Sequence, residues 1–224
     1  MELEIIARVH TDFPTKFGLP RQSGLAALPA EIVFEPPFRD ASCIRGIGAW
    51  SHLWLIWQFD RAVASGWAPT VAPPKLGGRE RVGVFATRSP FRPNFMGLSC
   101  VRLERVEAHT PRGPVLHVSG ADLADGTPIF DIKPYLPYAD SVPGAADAFA
   151  DKRRGGLLQV DFPDQWLALI PEDKRAALLQ VLALDARPGY QDDPARRYGF
   201  SYAGFDVRFT VAEGRLTVVE VVRL

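Results

Sequence analysis

The chain has 224 residues, 47% of them apolar, with 26 basic and 26 acidic side chains. That length suits one large domain or an ordinary domain with a smaller companion, and the apolar fraction supports a real core. No run approaches the roughly 18 apolar residues of a membrane span, and two cysteines build neither a cysteine-rich zinc site nor a disulfide framework. Zero net charge leaves an RNA substrate open but confines any basic surface to a local patch. The first residues, MELEIIARVH, carry early acids and no apolar signal region, so a cytoplasmic enzyme is expected. Cys43 and Cys100 read as small buried residues.

In chain order, Leu3–Val9 reads as a strand and the segment from Thr11 to Pro29 as a long Pro/Gly-rich loop. Such loops are usually functional or disordered. Ile32–Phe34 reads as a second strand. His52–Phe59, HLWLIWQF, is a nearly continuous apolar run that fits a strand covered on both faces. Ala68–Arg81 is again Pro/Gly-rich. Val82–Thr87, Gly97–Val106, Val115–Ser119 and Thr127–Ile132 read as strands, the last entering a rigid turn, KPYLPYADS. Strands are short, turn signals recur every ten to fifteen residues, and no strand–helix alternation appears before about residue 140. A mostly antiparallel sheet or barrel follows, not a doubly wound fold. Asp151–Gly156, DKRRGG, reads as a linker or strand entry. Pro163–Leu184 reads as the one strongly helical region, with Pro171, Glu172 and Asp173 at a helix start and Leu178, Leu179 and Leu182 on its apolar face. Phe200–Val211 and Arg215–Val222 read as a hairpin across Ala212-Glu213-Gly214. The predicted class is α+β: a mostly antiparallel sheet or barrel over 1–150 and a small α+β domain over 151–224.

The densest chemistry lies in Ala86–Ser99, ATRSPFRPNFMGLS. Its prolines stiffen the loop, and Arg88 and Arg92 offer permanent charge and a planar fork of donors. Such a loop can hold an anion, a carboxylate or a nucleotide. A second cluster, Gly120–Ser141, is rich in acids and aromatics; its Asp125-Gly126 pair is also an ordinary turn. Gly46-Ile47-Gly48 lacks the third glycine of a dinucleotide fingerprint and reads as a turn. His10, His109 and His117 have no metal spacing, so no metal is expected. Trp54 and Trp57, three apart in a strand, face opposite sides. Composition and spacing alone indicate an α+β protein with a polar ligand site and do not name a reaction.

Six blocks carry a resemblance to a known family. They are PRQ at Pro20–Gln22, SHLW at Ser51–Trp54, GWAPTVAPPKLGG at Gly66–Gly78, GVFATRSPFRPN at Gly83–Asn94, GLS at Gly97–Ser99, and DLADGTPIFDIKPYLPYADS at Asp122–Ser141. In that order they resemble the TsaA-like (TrmO-type) family of tRNA threonylcarbamoyladenosine methyltransferases. RPGY at Arg187–Tyr190 and the last hairpin resemble the accessory domain of its longer members. Two departures stand out. The family usually reads RPNPIG where this chain has Arg92-Pro93-Asn94-Phe95-Met96-Gly97, which keeps an apolar wall. It often has a histidine where Asp60 stands here.

The resemblance implies a barrel-like methyltransferase that uses S-adenosylmethionine and acts on the anticodon stem-loop of tRNA. It also implies a homodimer with its active site near the subunit boundary. By the family pattern, Pro20, Arg21, Gln22, Asp60, Arg61, Arg88, Leu98 and Asp122, Leu123, Asp125, Gly126, Thr127 line the cofactor pocket. Arg88 would meet the cofactor carboxylate, and Leu98 and Leu123 its adenine. Arg92, Asn94 and Lys133 are the substrate-binding candidates, and Asp125, Tyr135 and His52 the candidate catalytic residues. Arg79, Arg81, Lys152, Arg153 and Arg154 are candidates for a tRNA patch. The alternatives are a nucleoside- or RNA-binding barrel without chemistry and a methyltransferase acting on another acceptor.

Overall fold

A computed structural model describes residues 2–73, 80–146, 156–187 and 193–224. The expectations on Lys75–Arg79, on the linker residues Asp151–Gly155 with Lys152, Arg153 and Arg154, and on Pro188–Tyr190 lie outside those residues.

Six strands close an antiparallel barrel: β1 (Ala7–Thr11), β2 (Pro29–Phe34), β3 (His52–Gln58), β6 (Met96–Glu107), β7 (Val115–Ser119) and β8 (Pro128–Pro134). Their spatial order is β1-β2-β7-β6-β3-β8, returning to β1. A two-stranded ribbon, β4 (Thr70–Val71) with β5 (Val82–Gly83), stands outside the barrel. After a short helix, α1 (Pro137–Asp140), comes a second sheet in the order β10-β11-β12-β9, made of Tyr198–Tyr202, Phe205–Ala212, Arg215–Arg223 and Gln159–Asp161. Two helices, α2 (Asp164–Leu167) and α3 (Glu172–Ala183), accompany it. The α+β class and antiparallel pairing are what the strand spacing predicted, and the barrel is the form the resemblance implied. Among the described residues, no helix is long and apolar enough to cross a membrane.

Several expectations are corrected. The first strand begins at Ala7, because Glu2–Glu4 are exposed and β2 reaches back only to Ala7 opposite Phe34. The run His52–Gln58 is not covered equally on both faces. It alternates, with Leu53, Leu55 and Trp57 inside and His52, Trp54 and Ile56 half-buried outside. The strand expected over Val82–Thr87 stops at Gly83, and Val84–Ala86 turns as a 3-10 helix, the Thr87 hydroxyl donating to the Val84 carbonyl at 2.8 Å. Pro163–Leu184 is two helices, since Pro171 lacks the N–H that would continue α2 into α3. The buried face of α3 is Ala177, Leu178, Val181 and Leu182, with Leu179 only half-buried. Phe200–Val211 is two strands, because Ala203 and Gly204 take positive φ (49° and 81°) and turn the chain tightly. Cys43 is exposed and Cys100 half-buried.

Two cores result. One fills the barrel with Val9, Ile32, Leu53, Leu55, Trp57, Val101, Leu116 and Ile129. The other packs α3 on the second sheet through Leu178, Leu182, Phe200, Tyr202, Phe209 and Leu216. The long loop between β1 and β2 belongs to the second core: Phe13, Ala26 and Leu28 are buried in it. Asp12 accepts from Lys174 Nζ at 2.6 Å, and its carbonyl accepts the Ala203 N–H at 2.9 Å. Gln180 Oε1 accepts the Ala27 N–H at 2.7 Å. Gly18 lies so close to Phe200 that a Cβ would come within 2.6 Å of its ring. Tertiary packing therefore orders a segment whose composition suggests disorder.

Candidate active site

The barrel wall has a gap. β3 pairs with β6 from Met96 to Arg102, but β7 joins β6 only from Arg102 onward, opposite Ser119. Among the described residues, one side of Met96–Val101 therefore has no strand partner. Ser23 Oγ accepts the Cys100 N–H there at 3.1 Å. In an antiparallel ladder, main-chain groups two residues apart face the same edge, so the N–H and C=O of Leu98 face the same gap. The Leu98 side chain is 53% exposed. Gly24 N–H to Gly120 O and Gly120 N–H to Leu28 O, both 2.9 Å, lash the loop around residues 23–28 alongside.

Inside this gap a polar chain runs through the core. Trp57 Nε1 donates to Ser99 Oγ at 3.0 Å, and Ser99 Oγ donates to Asp122 Oδ1 at 2.6 Å. Gly97 makes room for the indole: a Cβ there would lie 2.3 Å from the Trp57 ring. Burial pushes the Asp122 carboxyl above the usual carboxylate range, opposed by the Ser99 hydrogen bond and by the Arg88 charge. Arg88 itself donates to the side-chain oxygen of Gln22. Gln22, Arg88, Asp122 and the Leu98 main chain are thus brought together.

The Asp125-Gly126 turn follows in the chain, with Gly126 at φ 79°. Asp125 accepts the Thr11 N–H at 3.1 Å and lies 3.3 Å from His10 Nδ1. Arg61 donates to Asp125 O at 3.2 Å and Pro14 O at 2.8 Å, tying the turn after β3 to it. Thr127 Oγ1 donates to Ala124 O at 2.7 Å. Asp60 is exposed at the start of the 3-10 turn Asp60–Ser65.

Other expected residues are placed differently. Arg21 points at the C-terminal unit, where it donates to the Arg187 carbonyl at 2.7 Å and the Asp185 carbonyl at 3.4 Å; Pro20 beside it is buried. Leu123 is 1% exposed inside the barrel core, so its side chain offers no surface for an adenine. Tyr135 and His52 sit together, Tyr135 N–H donating to His52 O at 3.0 Å, but at the far end of β8 from Asp125. The seven residues of β8 separate the two ends by roughly 20 Å at about 3.4 Å each. One chain therefore does not assemble all three candidate catalytic residues. Lys133 pairs with Asp131 at 2.9 Å near that far end. Arg92 donates to Thr87 O at 3.3 Å, and Asn94 is exposed. A groove of about 550 Å³ lined by Ile44, Arg45, Val106 and His109 lies elsewhere.

Phe95 takes φ 49° and donates its N–H to Arg92 O at 3.1 Å. A proline, fixed near −65° and without an N–H, could adopt neither feature. The departure from RPNPIG thus coincides with a local backbone that suits a non-proline residue. Ser99 and Ser23 were missed as site residues. Ser99 had one legible signal: it shares strand parity with Gly97 and Val101, so it is a polar side chain on a core-facing position.

Family comparisons agree with this architecture. Residues 8–141 match the tRNA-methyltransferase O N-terminal domain, and residues 156–224 match the TrmO C-terminal domain. A tRNA (adenine(37)-N6)-methyltransferase of Escherichia coli K12 is 38% identical, covering 97% of this chain and 96% of that protein. A Pseudomonas aeruginosa protein provisionally named S-adenosylmethionine-dependent methyltransferase RcsF is 40% identical over 91% of this chain and 90% of its own. A crystal structure of TrmO from Pseudomonas aeruginosa superposes with a TM-score of 0.78 at 32% identity, covering 99% of this chain and 98% of that one. With both family domains matched in order and a full-length structural counterpart, the chain belongs to the tRNA-methyltransferase O family.

Proposed function

We propose that this chain methylates the N6 nitrogen of threonylcarbamoyladenosine beside the tRNA anticodon, using S-adenosylmethionine. The observation that carries the reading is the gap along Met96–Val101, where the free Leu98 main chain, the Ser99-held Asp122 and the Gln22–Arg88 pair meet. The donor set fits the cofactor: a free strand edge for a base edge, a carboxylate for ribose hydroxyls, and a guanidinium for a carboxylate. When bound, S-adenosylmethionine would supply a methyl group made electrophilic by its sulfonium, and the N6 nitrogen that takes it would give up its proton.

In this reading Arg88 holds the cofactor carboxylate and Leu98 packs on the adenine. Gln22 fixes Arg88. Asp125, with Gly126 and Thr127, closes the pocket, and Arg61 holds that turn in place. The acceptor nitrogen is urea-like and weakly nucleophilic, so a hydrogen-bonding group that draws on its proton assists; Asp125, Tyr135 and His52 are the candidates. We further propose a homodimer with the active site near the subunit boundary. Residues 1–150 would then carry the transfer, in the cytoplasm where tRNA is processed, and residues 151–224 would grip the anticodon stem. Arg92, Asn94 and Lys133 would meet the RNA or the threonyl carboxylate.

The test is methyl transfer from labelled S-adenosylmethionine to tRNA with and without the threonylcarbamoyl group. Label appearing only in the modified tRNA is the expected result. Label in neither, with the cofactor bound, would remove the enzymatic reading, and label in both would point to another acceptor atom.

A further inference from the structure

The segments on either side of the ribbon β4–β5 expose aromatic rings, and the segment that follows it carries Arg88, which reaches Gln22 at the gap. Trp67 is 56% exposed, Phe85 76% and Phe91 37%. Hydrogen bonds lace these residues into one unit: Ala68 N–H to Phe91 O at 3.1 Å and Val84 N–H to Pro69 O at 3.0 Å. The unit continues into the site, since Phe59 N–H donates to Phe95 O at 2.7 Å and Asp60 and Arg61 follow directly. Exposed rings of this size are costly in water and mark a docking surface when they cluster.

Charge selects the occupant. Residues 80–95 carry Arg81, Arg88 and Arg92 against Glu80 alone. Two of these guanidiniums are held to main chain, Arg81 by Thr70 O at 2.7 Å and Arg92 by Thr87 O at 3.3 Å, so they are presented rather than waving. The opposite barrel end also exposes an aromatic, Tyr138, but there Lys133 is paired with Asp131 at 2.9 Å, and residues 134–146 add Asp140 and no cation. Rings interleaved with arginines suit unpaired nucleotides, whose bases stack on the rings while the cations track the phosphates.

We propose that Trp67, Phe85 and Phe91 form a stacking platform for unpaired anticodon-loop bases that flank the target nucleotide, with Arg81 and Arg92 meeting the adjacent phosphates. This rests on the tRNA methyltransferase reading. It adds how the loop is opened: a base between two loop neighbours reaches the cofactor gap only if those neighbours are held apart from it.

The full-length chain is titrated with a fluorescently labelled RNA hairpin that reproduces an anticodon stem-loop. Trp67→Ala and Phe85→Ala are each expected to weaken binding roughly 5- to 100-fold, while Phe85→Trp restores it. The slope of affinity against salt stays as in the parent chain, because stacking releases no counterions. Cofactor affinity by calorimetry stays unchanged. Parental RNA affinity in both alanine variants, with methyl transfer to tRNA intact, would overturn the platform and leave the enzymatic reading standing. A shift from dimer to monomer on sedimentation in those variants would overturn it too, by showing that the rings join two copies. If the parent chain transfers no methyl to any tRNA, the enzymatic reading fails by itself, and the hairpin titration still decides whether the rings bind RNA.

Discussion

Ser99→Ala tests the site at its most confined point. Ser99 is buried, receives the Trp57 Nε1 proton at 3.0 Å and donates to Asp122 at 2.6 Å. Removing its hydroxyl leaves an indole N–H without a partner, at about 1–3 kcal/mol, and deletes a hydrogen bond to a charged group, at about 1.5–3 kcal/mol. The two belong to one network and do not simply add, so about 2–4 kcal/mol is expected in total. For a chain of this size that lowers Tm by roughly 5–15 °C. The pH dependence carries more information. Burial already raises the Asp122 pKa, and the Ser99 bond is what lowers it most. A carboxyl whose folded pKa exceeds its unfolded value stabilises the fold at low pH and loses that contribution as pH rises through the folded pKa. Without Ser99 the pKa climbs further, so the variant loses more stability at mildly alkaline than at acid pH. With S-adenosylmethionine held as proposed, its positive charge would favour ionised Asp122, so cofactor affinity should fall as pH drops and fall earlier in the variant. Thermal unfolding and calorimetric titration across pH read both effects. An equal loss at every pH, with unchanged cofactor affinity, would refute the role given to Asp122.

Gly97→Ala places a methyl within the Trp57 ring, and overpacking of that kind costs about 1–3 kcal/mol; chemical denaturation should show it, together with weakened cofactor binding as the indole leaves Ser99. Phe13→Ala should cost about 3–5 kcal/mol, because this buried ring lies 5.0 Å from Tyr202 and 5.9 Å from Phe200. A loss under about 1 kcal/mol in urea unfolding would show that the loop is not anchored in the second core. Arg88→Ala should reduce cofactor affinity with little change in stability, since Arg88 is exposed and bonds only to Gln22 among the described residues; an unaltered calorimetric affinity would count against its pocket role.

Strand identity was legible wherever pairing partners are local in pattern. Val115–Ser119 appears as read, and β3 and β6 agree within a residue or two, because apolar runs bounded by turn residues must bury one face. The errors fell where a turn has no strong signature. Ala203 adopts positive φ without being glycine, so Gly204 alone did not mark the β10–β11 turn within an apolar alternation, and Val84 is buried from a 3-10 turn instead of a strand.

The site divides along the same line. Gln22, Arg88 and Asp122, named from the family resemblance, are close together beside the gap, while the Asp125-Gly126 turn is tied to β1 and to Arg61. Which residues face the gap was not legible in the chain, because that depends on long-range register. β7 ends opposite Arg102 while β3 continues to Met96, and this difference alone frees the Leu98 edge. Register likewise sends Leu123 into the core and sets Asp125 and Tyr135 at opposite ends of β8. The second core, by claiming Phe13, Ala26 and Leu28, draws Arg21 toward Asp185 and Arg187. Local chemistry is written residue by residue. Direction and distance are set by pairings across tens of residues, and only the closed barrel and the sheet packed beside it decide them.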